Sequence, residues 1–347
     1  MRPALKPDSA LDRLALRLNL APVVAGHAIF GMPMSRVTVA GQRLGVFKRL
    51  ARGPANAEEL AAELDSAPAG MLMLLDSLAA LGHLDRRRGT YRLSKAARPW
   101  LDPASDRYVG TFIEHAHDYW AWWERLEEVV RTGRGVEIHD FPPDDPSWET
   151  YIRGQFELAR ISSPEVAKAL QLPAEPTSLL DVAGGHGWYS AELCRRHPGL
   201  RATVLDLPGS AAVGRRIMEE QGMSGRVEHV DGDMTISDLG GPHDGALVFN
   251  IVHHLRPEEN VALLRRIHAA LKPGGTVAVL DLWLTPEDRR PEAAALLGLF
   301  FYLTSSAATY AETDVRGWLS EAGFDKARRI TIRRLPGQAV FEARKAG

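Results

Sequence analysis

This chain of 347 residues has a single cysteine, Cys194, and so cannot form an intrachain disulfide. A disulfide-stapled secreted domain is excluded, and one thiol suits a reducing compartment. Net charge is also scarce. Forty-two Lys and Arg against 44 Asp and Glu leave −2 at pH 7, so no global field draws the chain to nucleic acid or to an anionic membrane. Long hydrophobic runs are missing as well. The opening MRPALKPDSALDRL lacks the apolar core of a signal peptide, and the longest apolar run, Ala293 to Leu303, falls short of the roughly 20 residues a bilayer span requires. These shortages predict a cytoplasmic protein with no membrane partner. The hydrophobic fraction of 45% and charged fraction of 25% exclude a disordered or collagen-like chain, and the length suits about two domains.

Charge is unevenly spread, with 15 Lys and Arg against 9 Asp and Glu in residues 1–105. A basic front half can signal a nucleic-acid module. Apolar residues recur at helical spacing over 9–20 and 40–52, and Asn56 with Glu59 has the form of a capping box opening a further helix. Met71, Leu74, Leu75, Leu78 and Leu81 form an apolar stripe ended by Gly82, and Leu84 to Leu93 reads as a hairpin turning at Asp85–Gly89. That order is a winged helix. Its third helix, Pro68 to Gly82, has no Lys, Arg, Asn or Gln to present to base edges, and Asp76 would repel phosphate. The module is therefore read as a packing and dimerisation device, with no nucleic acid as partner.

Residues 106–172 are helical and rich in aromatics. Tyr119, Trp120, Trp122 and Trp123 crowd one helix, as core, subunit interface or the wall of an aromatic substrate pocket, with His115 as a candidate polar contact. Trp148 to Leu170 reads as a helix broken near Pro164.

From Pro173 short apolar strands alternate with helices, which predicts an α/β fold built on a parallel sheet covered on both faces. Ligands of such sheets bind at the carboxyl ends of the strands. Those ends read Asp181-Val182-Ala183-Gly184-Gly185-His186-Gly187, then Asp206, then Asp231-Gly232-Asp233-Met234, then Asn250-Ile251-Val252-His253-His254, then Asp281. The glycines allow a tight turn before a helix N-terminus. A dinucleotide fingerprint would place glycine at Ser190, and Asp181 favours a cationic ligand over a pyrophosphate. Asp206 can accept from ribose hydroxyls, and Asp233 and Met234 can hold and cover an adenine. Arg328 to Ala343 forms a final antiparallel hairpin, unlike a dinucleotide fold.

The motifs DVAGGHG, VLDLP, DGDM, FNIVHHL and LKPGGTVAVLD occur in the order of a known family. The chain resembles class I S-adenosylmethionine (SAM)-dependent O-methyltransferases of the plant caffeate and bacterial small-molecule type. The resemblance implies a winged-helix dimerisation domain (1–105), a helical connector and pocket wall (106–172) and a Rossmann-like methyltransferase domain (173–347), working as a homodimer on a small acceptor. It implies that Asp181, Gly185 and Gly187 hold the methionine end of SAM, Asp206 and Leu207 its ribose, and Asp233 and Met234 its adenine, with Asn250 counted among the cofactor contacts. His253 falls at the catalytic histidine, Asp281 at an acidic residue flanking it, and Phe300 and Thr304 on a helix lining the acceptor pocket. Ala183 stands where the family has the first of three glycines, Thr309 at a second acidic flank, and His254 where Asp often follows the histidine. The reaction expected is methyl transfer to the hydroxyl of an aromatic acceptor with His253 as general base and no metal. The alternatives are C- or N-methylation of a small acceptor such as an α-keto acid, with His254 in a metal site, and a non-catalytic dimeric binding protein.

Overall fold

The computed structural model describes residues 9–20, 22–284, 292–334 and 337–347. The chain divides into two compact units, one ending at His117 and one running from Asp118 to Gly347.

The first unit contains α1 (Ala10–Arg17), α2 (Val23–Arg43), α3 (Val46–Ala51), β1 (Ala55–Asn56), α4 (Ala57–Glu63), α5 (Pro68–Ala80), β2 (Leu84–Arg87), β3 (Thr90–Leu93), α6 (Arg98–Leu101) and α7 (Gly110–His115). Asn56 caps α4 as the sequence predicts. Its Oδ1 accepts from Glu59 N–H at 2.9 Å while Glu59 Oε2 accepts from Asn56 N–H at 2.9 Å. Arg88 and Gly89 take positive φ (50° and 79°) at the tip of the β2–β3 hairpin, the backbone that a two-residue turn requires. Tyr91 and Leu93 point inward together and are buried with Phe47, Leu50, Met71, Leu75 and Leu78. Asp76 on α5 accepts from the Tyr91 hydroxyl at 2.6 Å and from Arg86 at 2.8 Å. The one acidic residue of the third helix thus ties down a wing arginine.

Two readings of this unit need correction. The helix expected over 40–52 is two helices. Gly45 takes φ 77°, a left-handed residue that ends α2 and starts α3. Residues 23–39, given no element by periodicity, form most of α2, a helix with apolar residues all round instead of one stripe. By length and composition α2 is long and apolar enough to cross a membrane, although Pro33 and Arg36 interrupt it. Val24, Ile29, Phe30, Met32 and Met34 lie exposed along it.

The second unit begins with α8 (Tyr119–Trp123), α9 (Leu126–Thr132) and α10 (Ser147–Ala169). It continues through β4 (Ser178–Val182), α11 (Trp188–Arg196), β5 (Arg201–Asp206), α12 (Pro208–Glu220), β6 (Val227–Asp231), β7 (His243–Phe249), α13 (Pro257–Ala270), β8 (Leu271–Leu282), α14 (Glu292–Ser305), α15 (Glu312–Glu321), β9 (Arg328–Thr331) and β10 (Gln338–Arg344). The sheet order is β6-β5-β4-β7-β8-β10-β9. The first five strands pair in parallel, and β10 lies antiparallel between β8 and β9. One face is covered by α10, α11 and α12, whose Phe156, Trp188, Leu193 and Ile217 bury against Leu179 and Val204. The other is covered by α13 and α15, with Leu264, Ile267 and Trp318 against Val248 and Val279.

The break expected at Pro164 does not occur, and α10 runs through it. Ser162, Ser163, Val166 and Ala167 are all buried around it. Packing on both sides therefore keeps the helix going although proline removes one of its hydrogen bonds.

Candidate active site

The carboxyl ends of β4 and β5 build the first half of the site. After Val182 the backbone turns through Ala183 (φ 50°), Gly185 (φ 52°) and Gly187 (φ 67°) into α11. At Gly184 a Cβ would lie 2.4 Å from the Asp181 carboxyl carbon, so this position excludes any side chain. Gly185 is held from both sides. Its N–H donates to Asp206 Oδ2 at 2.6 Å, and its carbonyl lies 2.9 Å from His229 Nε2 on β6. Burial pushes His229 down to about 4, so it is neutral at pH 7 and donates through an Nε2–H. Gly214 on α12 backs the same carbonyl, where a Cβ would come within 2.3 Å of the Gly185 oxygen.

Two buried carboxyls face this loop. Asp181 takes a 2.6 Å hydrogen bond from the Ser190 hydroxyl, which gives the serine at the missing glycine a purpose. Burial raises Asp181 to about 7, with Ser190 opposing and the Asp206 charge adding to the rise. Asp206 is lifted to about 6 by burial, against the N–H groups of Gly185 and Leu207, the latter at 2.7 Å from Oδ1.

Beyond β6, Asp233 Oδ1 accepts from the amide and hydroxyl of Thr235, both at 2.7 Å, and the Met234 carbonyl accepts from Arg266. The Met234 side chain packs partly buried against the core. Asn250 takes φ 57° and donates its N–H to the Leu280 carbonyl at 2.7 Å, which turns the chain out of β7.

That turn delivers a single helical turn, Val252–His254, beside the end of β8. His253 is buried, and its Nδ1 lies 2.8 Å from both oxygens of Asp281, which is itself 1% exposed. The Leu282 N–H also donates to Asp281 Oδ1 at 2.7 Å. Phe301 on α14 covers the His253 ring, with centroids 3.7 Å apart and planes 13° from parallel. The second ring nitrogen, Nε2, is 3.0 Å from His254 Nε2, and His254 Nδ1 is 2.6 Å from the Ser305 hydroxyl. Burial, with His253 and His139 adding, holds His254 well below the usual histidine range. His139 meets the His254 ring edge-on at 4.6 Å, and its Nε2 lies 3.3 Å from the Tyr151 hydroxyl.

His254, read from the sequence as a loop or packing residue or a metal ligand, is hydrogen-bonded directly to His253. Among the described residues no group of three or more His, Cys, Asp or Glu is placed to hold a metal. Phe301, Ser305, His139 and His229 were not singled out by sequence reasoning. For Phe301 and Ser305 a signal existed: they are four residues apart on α14, one step in phase from Phe300 and Thr304. The 301/305 face meets the histidines. Phe300 instead packs against Tyr119 (4.9 Å), Trp122 and Trp123 in an apolar cluster that includes Val129, Ile138 and Leu303. Thr304 is fully buried and donates its hydroxyl to the Phe300 carbonyl. Thr309 is buried near Gly298, and its Oγ1 has no hydrogen-bond partner among the described residues. His115 closes α7, buried in the first unit, whereas every other residue singled out for the site lies in the second.

Comparison with known proteins bears on this arrangement. Residues 123–325 match the O-methyltransferase domain, and residues 27–103 the O-methyltransferase dimerisation domain. The 3-hydroxy-5-methyl-1-naphthoate 3-O-methyltransferase of Streptomyces sahachiroi is 29% identical over 335 residues, covering 94% of this chain and 96% of that one. The tetracenomycin polyketide synthesis 8-O-methyl transferase TcmO of Streptomyces glaucescens is 33% identical over 309 residues, covering 86% and 90%. Human N-acetylserotonin methyltransferase in complex with SAM superposes with a TM-score of 0.83 at 22% identity, over 99% of this chain and all of that one.

Proposed function

The chain belongs to the O-methyltransferase family, and from that premise we propose that it methylates the hydroxyl of a small aromatic acceptor, with the His253–Asp281 pair as the proton acceptor. It is a SAM-dependent O-methyltransferase. The observation that carries the assignment of the base is the buried His253 with Nδ1 against both oxygens of Asp281, at the same sheet edge as the glycine loop.

The residues at that edge fit SAM. Asp181 is a buried carboxyl that accepts from the Ser190 hydroxyl and, when ionised, suits a cationic ligand group. Gly184 leaves no room for a side chain and Gly185 holds a left-handed backbone, and the Asp206 oxygens keep lone pairs beyond those used by the two amides. Asp181, Gly185 and Gly187 would hold the methionine end, Asp206 and Leu207 the ribose, and Asp233 and Met234 the adenine, with Asn250 a further cofactor contact. When bound, SAM supplies a methyl group on a positively charged sulfur. The protein aligns the acceptor, excludes water and takes a proton. A phenol of pKa about 10 is a weak nucleophile until its O–H bond lengthens toward a base, and the imidazolium so formed sits against Asp281. The aromatic cluster of Tyr119, Trp122, Trp123 and Phe300 suits a flat acceptor, as do the naphthoate and polyketide acceptors in the names of the two relatives. The dimerisation domain, with exposed apolar residues along α2, supports a homodimer, and α5, which carries no Lys, Arg, Asn or Gln, weighs against nucleic acid as its partner.

Calorimetric titration with S-adenosylhomocysteine, with NAD as control, tests the reading. Micromolar binding at one per chain and no heat with NAD is the expected result, and a folded protein silent to both overturns it.

A pH dependence follows from Asp181. Its folded-state pKa of about 7 lies above the roughly 3.9 of an unfolded aspartate, so without ligand this group favours folding when protonated and loses that contribution as pH rises from about 4 to 7. A cationic ligand selects the ionised form. SAM affinity is therefore expected to climb between about pH 5.5 and 7 and to level off above, and Asp181→Asn is expected to flatten the profile. A wild-type affinity constant across this range removes Asp181 from cofactor binding.

A further inference from the structure

From the hydrogen-bond chain Asp281–His253–His254–Ser305, we propose that the acceptor's proton reaches His253 through His254, with His254 Nδ1 as the atom that meets the acceptor hydroxyl. This rests on the reading of the His253–Asp281 pair as the proton acceptor and adds the route.

His253 has no free nitrogen to offer an acceptor. Nδ1 is held by Asp281, Nε2 by His254, and Phe301 is stacked on the ring. Proton positions along the chain follow from what each atom can do. A carboxylate only accepts, so His253 Nδ1 carries a hydrogen and, in the neutral ring, Nε2 is a lone pair. The atom 3.0 Å away, His254 Nε2, must then carry a hydrogen, which leaves His254 Nδ1 as a lone pair receiving the Ser305 O–H. The result is a file of donors pointing at Asp281, ending in the His254 Nδ1 lone pair, whose hydrogen-bond partner among the described residues is the rotatable Ser305 hydroxyl. Ser305 and His254 are both half-buried, unlike His253.

When an acceptor hydroxyl replaces the Ser305 hydroxyl at His254 Nδ1, its O–H bond breaks and an N–H bond forms there. The Nε2–H of His254 breaks as an Nε2–H on His253 forms. The oxygen keeps the electron pair with which it takes the methyl group, and the positive charge comes to rest on His253 beside Asp281. His254 ends neutral, now with a hydrogen on Nδ1 and a lone pair on Nε2. The heavy atoms need not move, because the same distances serve the reversed hydrogen bonds. The low proton affinity of His254 suits a residue that passes a proton on and does not store it. Among the described residues the titratable groups packed round the pair are Asp281, His139 and, behind His139, Tyr151.

Two measurements on the full chain test the route. The first is nitrogen-15 imidazole NMR of the ligand-free protein. At pH 8 the hydrogen of His254 is expected on Nε2, and on acidification the two rings are expected to respond in one step. A hydrogen on His254 Nδ1 at pH 8, or His253 taking a proton while His254 stays unchanged, overturns the route. The second is turnover with SAM and a phenolic acceptor, using 3-hydroxy-5-methyl-1-naphthoate first. His254→Phe is expected to lower kcat about 10²-fold with S-adenosylhomocysteine affinity unchanged, and added imidazole to restore His254→Gly but not His254→Phe. His254→Phe at full kcat beside an inactive His253→Ala overturns the route and leaves His253 as the base. His253→Ala at full kcat overturns the base itself.

Discussion

Replacing His253 by alanine is expected to lower turnover about 10²–10⁴-fold while leaving the affinity for S-adenosylhomocysteine within about twofold of wild type. The range is that of a positioned general base, and the geometry places this one well. Asp281 fixes the ring with both oxygens at 2.8 Å and would lie against the imidazolium as it forms. The split between the two readouts is the informative part, because His253 leaves β7 whereas the glycine loop and Asp206 close β4 and β5. A variant that lost cofactor affinity as well would report a collapsed sheet edge. A variant with unchanged turnover would mean that alignment alone carries the reaction, as effective molarities permit.

Asp206→Ala is expected to weaken S-adenosylhomocysteine binding by about 10²-fold or more. Two charge-assisted hydrogen bonds to ribose hydroxyls at roughly 1.5 kcal/mol each amount to about 3 kcal/mol, or about two decades in Kd. The same carboxylate anchors the Gly185 amide at 2.6 Å and the Leu207 amide at 2.7 Å, so its loss also leaves two donors without an acceptor where the loop must hold its shape. Asp206→Asn separates the two effects. An amide oxygen can still serve one of the N–H groups, so this variant should keep its melting temperature nearer to wild type while still binding the nucleoside weakly. Calorimetry and thermal unfolding measured on both variants decide the matter. Unaltered affinity in Asp206→Ala would take the ribose away from this strand.

The parallel part of the sheet was legible because most of its strands are short, apolar and separated by helices, and because chemistry-bearing residues stand at or just past their carboxyl ends. The elements the sequence hid were those where packing overrides local pattern. α2 carries apolar residues on every side, so no stripe announced it, and α10 passes through Pro164 because the surrounding packing outweighs one missing hydrogen bond. Ala183 shows the converse. It marked itself as a departure from glycine, and the structure places it at φ 50°, a conformation that costs a non-glycine residue on the order of 1 kcal/mol and is pinned here by the Leu205 carbonyl at 2.7 Å. Asp281 and His253 could be named from strand ends, but their pairing across a sequence separation of 28 is a matter of the intervening fold. Helical phase decided what α14 contributes, since adjacent residues point about 100° apart. His139 was hidden altogether, because a lone histidine in a loop carries no signal of what it meets.

The placement of β10 inside the sheet bears on how the protein is made. Residues 276–282 of β8 find their antiparallel partner only in residues 338–344, synthesised after β9, which itself has no neighbour until β10 arrives. A nascent chain stalled or cut upstream of Gln338 would leave the ribosome with a seven-residue open edge of Thr, Val, Ala, Val, Leu, Asp and Leu beside a finished half-sheet. Such an edge invites pairing with a second incomplete chain. β10, translated after both strands it joins, is thus the latch that makes them safe in solution.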